Sequence, residues 1–276
     1  MRNYEKDYIA LVQRVIEFGA TRKTRNGYTR QLFGETLKIN ELMRGEFPLL
    51  TGRKMFYRPV LGELAAFLRG ATDLQTFKDF GCNYWDANAA AWPANKGLPP
   101  SQHEVGQIYG AQWRDWQGLG HDQLRVLIRG LLQEPSSRRH LLTTYDPEET
   151  NACLPPCHLL AQFNVTNERT LDCCVYMRSV DLCLGLPSDV VLYAALMILI
   201  GNETDLHPGQ LTFMFGDTHI YANHADIWKL KYLGAMPHPM PGFKLHAAAE
   251  LTDFAPEHLE ITNYQHGERI DYPFNV

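Results

Sequence analysis

Residues 154–200 read LPPCHLLAQFNVTNERTLDCCVYMRSVDLCLGLPSDVVLYAALMILI, and their pattern decides the fold class. Leu159 to Val165 and Leu171 to Arg178 read as two strands, joined by Thr166–Asn167–Glu168–Arg169 in a hairpin-like connection. Pro187 to Ile200 then has a proline near its start, an apolar body and Gly201 at its end, which marks a buried helix. Helices and strands continue on both sides of this stretch without regular βαβ alternation. The pattern predicts an α+β fold around a mostly antiparallel or mixed sheet.

Working outward, Tyr4 to Phe18 carries a helical apolar stripe closed by Gly19, and Arg58 to Leu68 a second one ended by Gly70. Between them, Thr21 to Arg30 is a polar segment with a turn at Gly27, and Gln31 to Ile39 reads as a strand. Residues 81–107 hold Pro93, Gly97, Pro99 and Pro100 and read as a long surface excursion anchored by Tyr84, Trp85 and Trp92. Asp122 to Gln133 is an amphipathic helix stopped by Pro135, and His140 to Tyr145 a short strand. Downstream, Gln210 to Phe215 reads as a strand and His219 to Tyr232 as a helix, with short strands at Phe243 to His246 and Leu259 to Asn263.

The formal charge of -5 and pI near 6.1 exclude coating of nucleic acid through bulk charge, while leaving room for one local basic pocket. Met1 to Ala10 lacks the apolar core of a signal peptide, and the Val190 to Ile200 run is short of the ~20 residues a bilayer span needs. The cysteines, at positions 82, 153, 157, 173, 174 and 183, form no CxxC pair and suit neither a disulfide framework nor a zinc site. Reduced thiols in a cytoplasmic compartment are expected.

Four features could carry chemistry. Leu154–Pro155–Pro156–Cys157–His158 puts a thiol at a rigid corner just ahead of a strand. A buried structural thiol and a nucleophile both fit that place. A nucleophilic thiolate needs positive charge nearby, and His158 and Arg178 are the candidates to supply it. Arg25 lies in a polar loop, Arg138 and Arg139 follow two serines, and Arg178 precedes Ser179. Arginine forks match phosphate oxygens, although any one of these also suits a solvated surface. His219 and Tyr221, two apart at a strand end, could face one ligand or simply pack. Glu63 is a lone acid amid Leu61, Leu64, Phe67 and Leu68, a costly position unless the acid is paired or used.

Taken together, LPPCH with QFNV after it, RSVDLCLGLP, GDTHIYANH, IYGAQWR and SSRR closely resemble the thymidylate synthase family, in the same order and at similar spacing. The likeness runs from the first helix to Val276. It implies a thymidylate synthase-like α+β fold with a large mixed β-sheet packed with helices. It also implies a sheet-to-sheet homodimer and a single domain over residues 1–276, with the excursion at about 81–107. On the same resemblance, Cys157 is the nucleophile that adds to C6 of a pyrimidine nucleotide, and Glu63 organises water and proton transfers. Arg25, Arg178 and Ser179 bind phosphate, and Arg138 and Arg139 reach the partner's site. His219 and Tyr221 hold the sugar 3′-hydroxyl, while Tyr109 and His158 belong to the pocket. Trp85, Asn88, Asp181, Gly185 and the tail ending at Val276 surround 5,10-methylenetetrahydrofolate, the expected cosubstrate. No metal, membrane or nucleic acid is expected, and the partner is a pyrimidine deoxynucleoside monophosphate. The expected compartment is cytoplasmic, the host cytoplasm if the chain is phage-encoded.

Asp189 departs from the pattern. Thymidylate synthases carry asparagine there, whose amide reads N3–H and O4 of uracil, whereas an ionised aspartate only accepts. Facing cytosine it accepts from the 4-amino group, and from N3 once that is protonated. Such a change discriminates strongly, and Asp189 resembles the base reader of deoxycytidylate hydroxymethylases. Retention of Ser179 favours dCMP over CMP. Asn88 replaces a tryptophan and Met177 a glutamine of the synthases, and both changes lean toward water addition at the C5 methylene. The retained tail leans toward hydride transfer in a dry site. The expected activity is dCMP hydroxymethylation. A dCMP 5-methylase, a thymidylate synthase acting on dUMP and an inactive nucleotide- or RNA-binding relative stand as alternatives.

Overall fold

In chain order the elements are α1 (Tyr4–Phe18), β1 (Ala20–Thr24), β2 (Gly27–Phe33), β3 (Thr36–Ile39), α2 (Tyr57–Leu68), α3 (Leu74–Asp79), α4 (Asp86–Ala91), α5 (Tyr109–Arg114) and α6 (Gln123–Gln133). They continue with β4 (Leu141–Thr143), β5 (His158–Thr166), β6 (Thr170–Asp181), α7 (Gly185–Thr204), β7 (His207–Tyr221), α8 (Ala222–Lys231), β8 (Gly242–Leu245) and β9 (Leu259–Thr262). This computed structural model describes residues 3–148, 151–246 and 250–274.

The main sheet runs β1-β2-β7-β6-β5-β4, with β3 also on β7, and β8 pairs β9 separately. Only β6 and β7 run parallel among the described pairs, so the sheet is mixed, as the α+β expectation requires. The parallel pair has a structural cause: α7 separates the two strands and acts as their crossover. α7 is apolar all round and buried, packing on β6, β7 and α2. It is long and apolar enough to cross a membrane, yet most of it lies inside the protein, where it forms the central helix of the core. Local signals set the helix starts. Asn3, Asp73 and Asp122 cap α1, α3 and α6 by accepting from Lys6, Thr76 and Arg125 amides.

Four expectations are corrected. Gln31 to Ile39 is not one strand. It breaks at Gly34, whose φ is +85°, and its halves pair with different parts of β7. The break follows β7, because Gly34 N–H donates to the Gly216 carbonyl and Phe215 N–H to the Glu35 carbonyl, at 3.1 and 2.9 Å. The polar Thr21 to Arg30 segment forms the β1–β2 hairpin, held by ladder bonds rather than apolar patterning. β7 extends from His207 to Tyr221, so the helix expected from His219 starts only at Ala222. Ladders on both sides of β7 override local helix propensity there. Finally, residues 81–107 are more than a surface excursion. Cys82, Trp85, Ala89, Asn95 and Val105 are buried, and the Asn95 amide ties the Ala89 and Glu104 carbonyls together at 2.9 and 2.7 Å.

The backbone just ahead of that segment faces α2. A Cβ added at Gly62 would lie 2.1 Å from the Phe80 carbonyl oxygen, so only glycine lets α2 approach this backbone. Gly62→Ala is expected to cost about 3 kcal/mol or more through forced separation of the two. Urea unfolding checks it, and a change below 1 kcal/mol (about a third of that) would mean the contact yields freely. The outer sheet face carries exposed Tyr176 and Met214, paired in register, with Leu141 on β4.

Candidate active site

The Pro155–Pro156 corner presents Cys157 at the start of β5. Its N–H donates to Tyr109 Oη at 2.9 Å, and its carbonyl accepts from Arg178 N–H at 2.8 Å. The Arg178 side chain closes the same corner, with Nε on the Pro156 carbonyl at 2.7 Å and Nη2 on the Pro155 carbonyl at 2.8 Å. Arg178 Nη2 also lies 3.8 Å from Cys157 Sγ. Burial pushes the thiol up, Arg178 pulls it down and Asp189 pushes it up again, with a net upward result. The resting group is therefore a thiol with a guanidinium within reach.

His158 does not supply charge to that thiol, contrary to expectation. It is buried, its ring stacks on Tyr109 at 3.8 Å, and Nδ1 meets Tyr193 Oη at 2.7 Å. Burial lowers its pKa to about 3, so the imidazole is neutral and acts as a wedge that holds Tyr109 against Cys157.

Two acids face this corner from other elements. Glu63, next to Gly62 on α2, accepts from Trp85 Nε1 at 2.8 Å. Burial raises its pKa to about 7, against a downward pull from that hydrogen bond. Asp189, on the second turn of α7, is held well above the usual carboxylate range by burial, then by Glu63 and Asp181. An acid near neutrality can both give and take a proton at working pH.

Asp181 ends β6 and accepts from the Cys183 and Leu184 amides at 3.0 and 3.3 Å, which ties off the turn into α7. Gly185 begins that helix. With Cys183 and His224, Asp181 forms a group whose potential metal-ligand atoms lie within 4.8 Å of one another. Both Asp181 oxygens already take backbone amides, and the buried Arg53 guanidinium sits alongside, donating to the Cys183 carbonyl at 2.6 Å. A fixed cation therefore already neighbours the group.

His219 and Tyr221 lie two apart on β7, on the same side of the strand, with ring centroids 5.3 Å apart. Asp217 Oδ1 holds His219 Nδ1 at 2.8 Å, and register puts Ser179 opposite Asp217 and Asp181 opposite His219. Tyr221 feels Asp181, Asn26, Arg25 and Cys157, so the exposed Arg25 in the β1–β2 turn joins the same region. Trp85 is buried against Tyr109 and Phe77, and Asn88 is half-buried three residues on. Arg138 and Arg139 stand apart. They are exposed before β4, and among the described residues no contact joins their side chains to Cys157, Glu63 or Asp189. Val276 lies outside the described residues.

Three participants escaped the sequence reading: Tyr193, Asp217 and Arg53. Tyr193 follows Asp189 by four residues on α7, a spacing that shares one helix face, so its position was recoverable. Asp217 precedes His219 by two within one strand, which also hinted at its role. Nothing local marked Arg53.

Comparison with known proteins identifies the family. The family model described as Thymidylate synthase matches residues 6–276. The thymidylate synthase of Equine herpesvirus 2 (strain 86/87) is 37% identical over 276 residues, covering 94% of each chain. Thymidylate synthase 1/2 of Encephalitozoon cuniculi is 35% identical over 278 residues, covering 96% of this chain and 93% of the relative. A bifunctional dihydrofolate reductase-thymidylate synthase of Paramecium tetraurelia is 34% identical over 287 residues. There, 99% of this chain spans 61% of the longer relative.

Proposed function

The chain belongs to the thymidylate synthase family, whose cosubstrate is methylenetetrahydrofolate and which uses no metal, and from that premise we propose that it hydroxymethylates dCMP at C5. The reaction joins dCMP, 5,10-methylenetetrahydrofolate and water, and yields 5-hydroxymethyl-dCMP and tetrahydrofolate. The observation that carries the reading is a carboxyl at Asp189, on the α7 face beside Cys157 and Glu63, in place of an amide. An amide there donates to a 4-oxo group. A carboxyl instead accepts from a 4-amino group with one oxygen, and its other oxygen shares a proton with N3.

In this mechanism Cys157 adds to C6 while Arg178 steadies the sulfur, and C5 becomes the nucleophilic carbon. The folate supplies a one-carbon unit at the oxidation level of formaldehyde. Trp85, Asn88, Asp181 and Gly185 fit a flat, polar-edged ligand, since they offer a ring face, an amide, a carboxylate and a helix start without a side chain. Glu63 moves the proton at C5 and orients the water. Arg25, Arg178 and Ser179 meet the phosphate, and His219 and Tyr221 meet the sugar hydroxyl. Asn88 supports water as the final acceptor, because an amide beside Trp85 can hold it. The exposed apolar pair Tyr176 and Met214 supports a sheet-to-sheet dimer, and the unengaged Arg138 and Arg139 support their service to the partner's site.

The relatives' names favour a second reading, reductive methylation of dUMP. Incubation with methylenetetrahydrofolate and each nucleotide, with products identified by mass, separates the two. Turnover of dUMP alone at neutral pH would sink the cytosine reading, and a methyl product with dihydrofolate would sink water addition. Asp189→Asn is expected to move the kcat/KM ratio toward dUMP by about 100-fold or more, since a buried polar edge would change partners.

A further inference from the structure

Three carboxyls converge at the start of α7, namely Glu63 from α2, Asp181 from the end of β6 and Asp189 from α7 itself. Gly185 lies between two of them, since a Cβ there would stand 3.8 Å from both Asp181 Cβ and Asp189 Oδ2. Tyr4, Tyr109, Tyr193 and Cys157 also feel Asp189. The nearby cations are engaged elsewhere: Arg178 on the proline carbonyls and Cys157, and Arg53 on the Cys183 carbonyl. Asp181 has two amides and Glu63 an indole N–H, but no side-chain hydrogen bond or ion pair reaches Asp189 among the described residues. Burial and its two acidic neighbours therefore favour a neutral carboxyl.

We propose that base selectivity in this pocket titrates with Asp189: its neutral carboxyl accepts both dCMP and dUMP, so that dUMP becomes an acceptor in acid, and its ionised form excludes dUMP. This rests on the reading of Asp189 as the base reader. A neutral carboxyl offers one donor and one acceptor. Toward uracil it donates to O4 and accepts from N3–H. Toward cytosine it donates to N3 and accepts from the 4-amino group. Removing the proton leaves each base one good contact and one repulsion, against O4 in uracil and against the N3 lone pair in cytosine. N3 of cytosine is far more basic than O4 of uracil, so the cytosine complex holds the shared proton to higher pH. Selectivity for dCMP is then smallest where both complexes are protonated. It grows by about tenfold per pH unit once the uracil complex alone ionises. Glu63 moves this onset upward, because its ionisation near pH 7 adds a negative charge that keeps the proton on Asp189 in both complexes.

Calorimetric titration with dCMP and dUMP, without folate, from about pH 5.5 to 8.5 tests the proposal across the range where raised carboxyls titrate. The ratio of the two dissociation constants cancels the nucleotide phosphate, His219 and every other group that treats the bases alike. The expected result is a ratio rising at least tenfold across that range, with dCMP binding taking up a proton at its upper end. In Asp189→Asn the ratio is expected to be flat and to favour dUMP. A flat ratio in the unmodified protein, with dCMP preferred throughout, overturns the proposal while leaving the base-reader assignment intact. An unchanged preference in Asp189→Asn overturns that assignment itself.

Discussion

Cys157→Ala is expected to lower kcat by about 10⁴-fold or more, the scale on which loss of a covalent nucleophile acts. No other cysteine can replace it. Cys82, Cys173 and Cys183 are buried, Cys153 is pushed up to about 12 by burial, and Cys174 lies midway along β6 on the sheet. Cys157 has a rigid proline corner behind it, a tyrosine fixing its amide and a guanidinium 3.8 Å from its sulfur. Nucleotide binding is expected to survive, because the residues proposed to meet the phosphate and sugar are others. Exchange of the C5 hydrogen of dCMP with solvent isolates the step, since only addition at C6 makes C5 exchange. The unmodified protein should catalyse exchange and Cys157→Ala should not. Exchange that persisted in the alanine variant would reassign the nucleophile.

Glu63→Gln is expected to lower kcat by about 10²- to 10³-fold and yet to stabilise the fold above pH 7. The two effects share one cause. Burial raises the Glu63 carboxyl to about 7, which makes it a poised proton donor and acceptor. The same burial makes its charged form costly. Between about pH 4.5 and 7 the folded chain holds a proton that the unfolded chain has released, so stability falls as pH rises through that window. The loss amounts to about 3 kcal/mol once Glu63 is ionised in both states. Glutamine keeps the acceptor for Trp85 Nε1 and carries no charge to bury. Melting temperatures of the two proteins should therefore match near pH 4.5 and separate toward pH 7, with the variant higher. Equal melting curves at pH 8 would show that the ionised carboxylate is solvated in the fold.

Much of this was legible before any coordinates. Tyr4–Phe18 and the apolar run of α7 announce themselves by periodicity and by their ends, because helix caps and buried stripes are local properties. Strands were harder. Thr21 to Arg30 shows no apolar alternation and Gln31 to Ile39 shows no interruption, yet both are shaped by β7, almost two hundred residues away in the chain. Ladder pairing depends on the partner, and the partner is absent from any local window. The same limit hid Arg53, a buried cation whose meaning lies in a carbonyl 130 residues distant.

The sequence by itself determined the chemical inventory: a thiol at a proline corner, a lone acid on an apolar helix face, and a carboxyl at position 189 where the resemblance implies an amide. Bond types and hydrogen-bonding capacity belong to residues, so they can be read residue by residue. Only the tertiary structure decided the charge each group carries. His158, adjacent to Cys157 in sequence, is neutral because it is sealed against Tyr109 and Tyr193. Asp189, written as an anion in the sequence, favours its proton because Glu63 and Asp181 arrive beside it from α2 and β6. Protonation follows desolvation and neighbouring charge, and both are set by which distant segments the fold brings together.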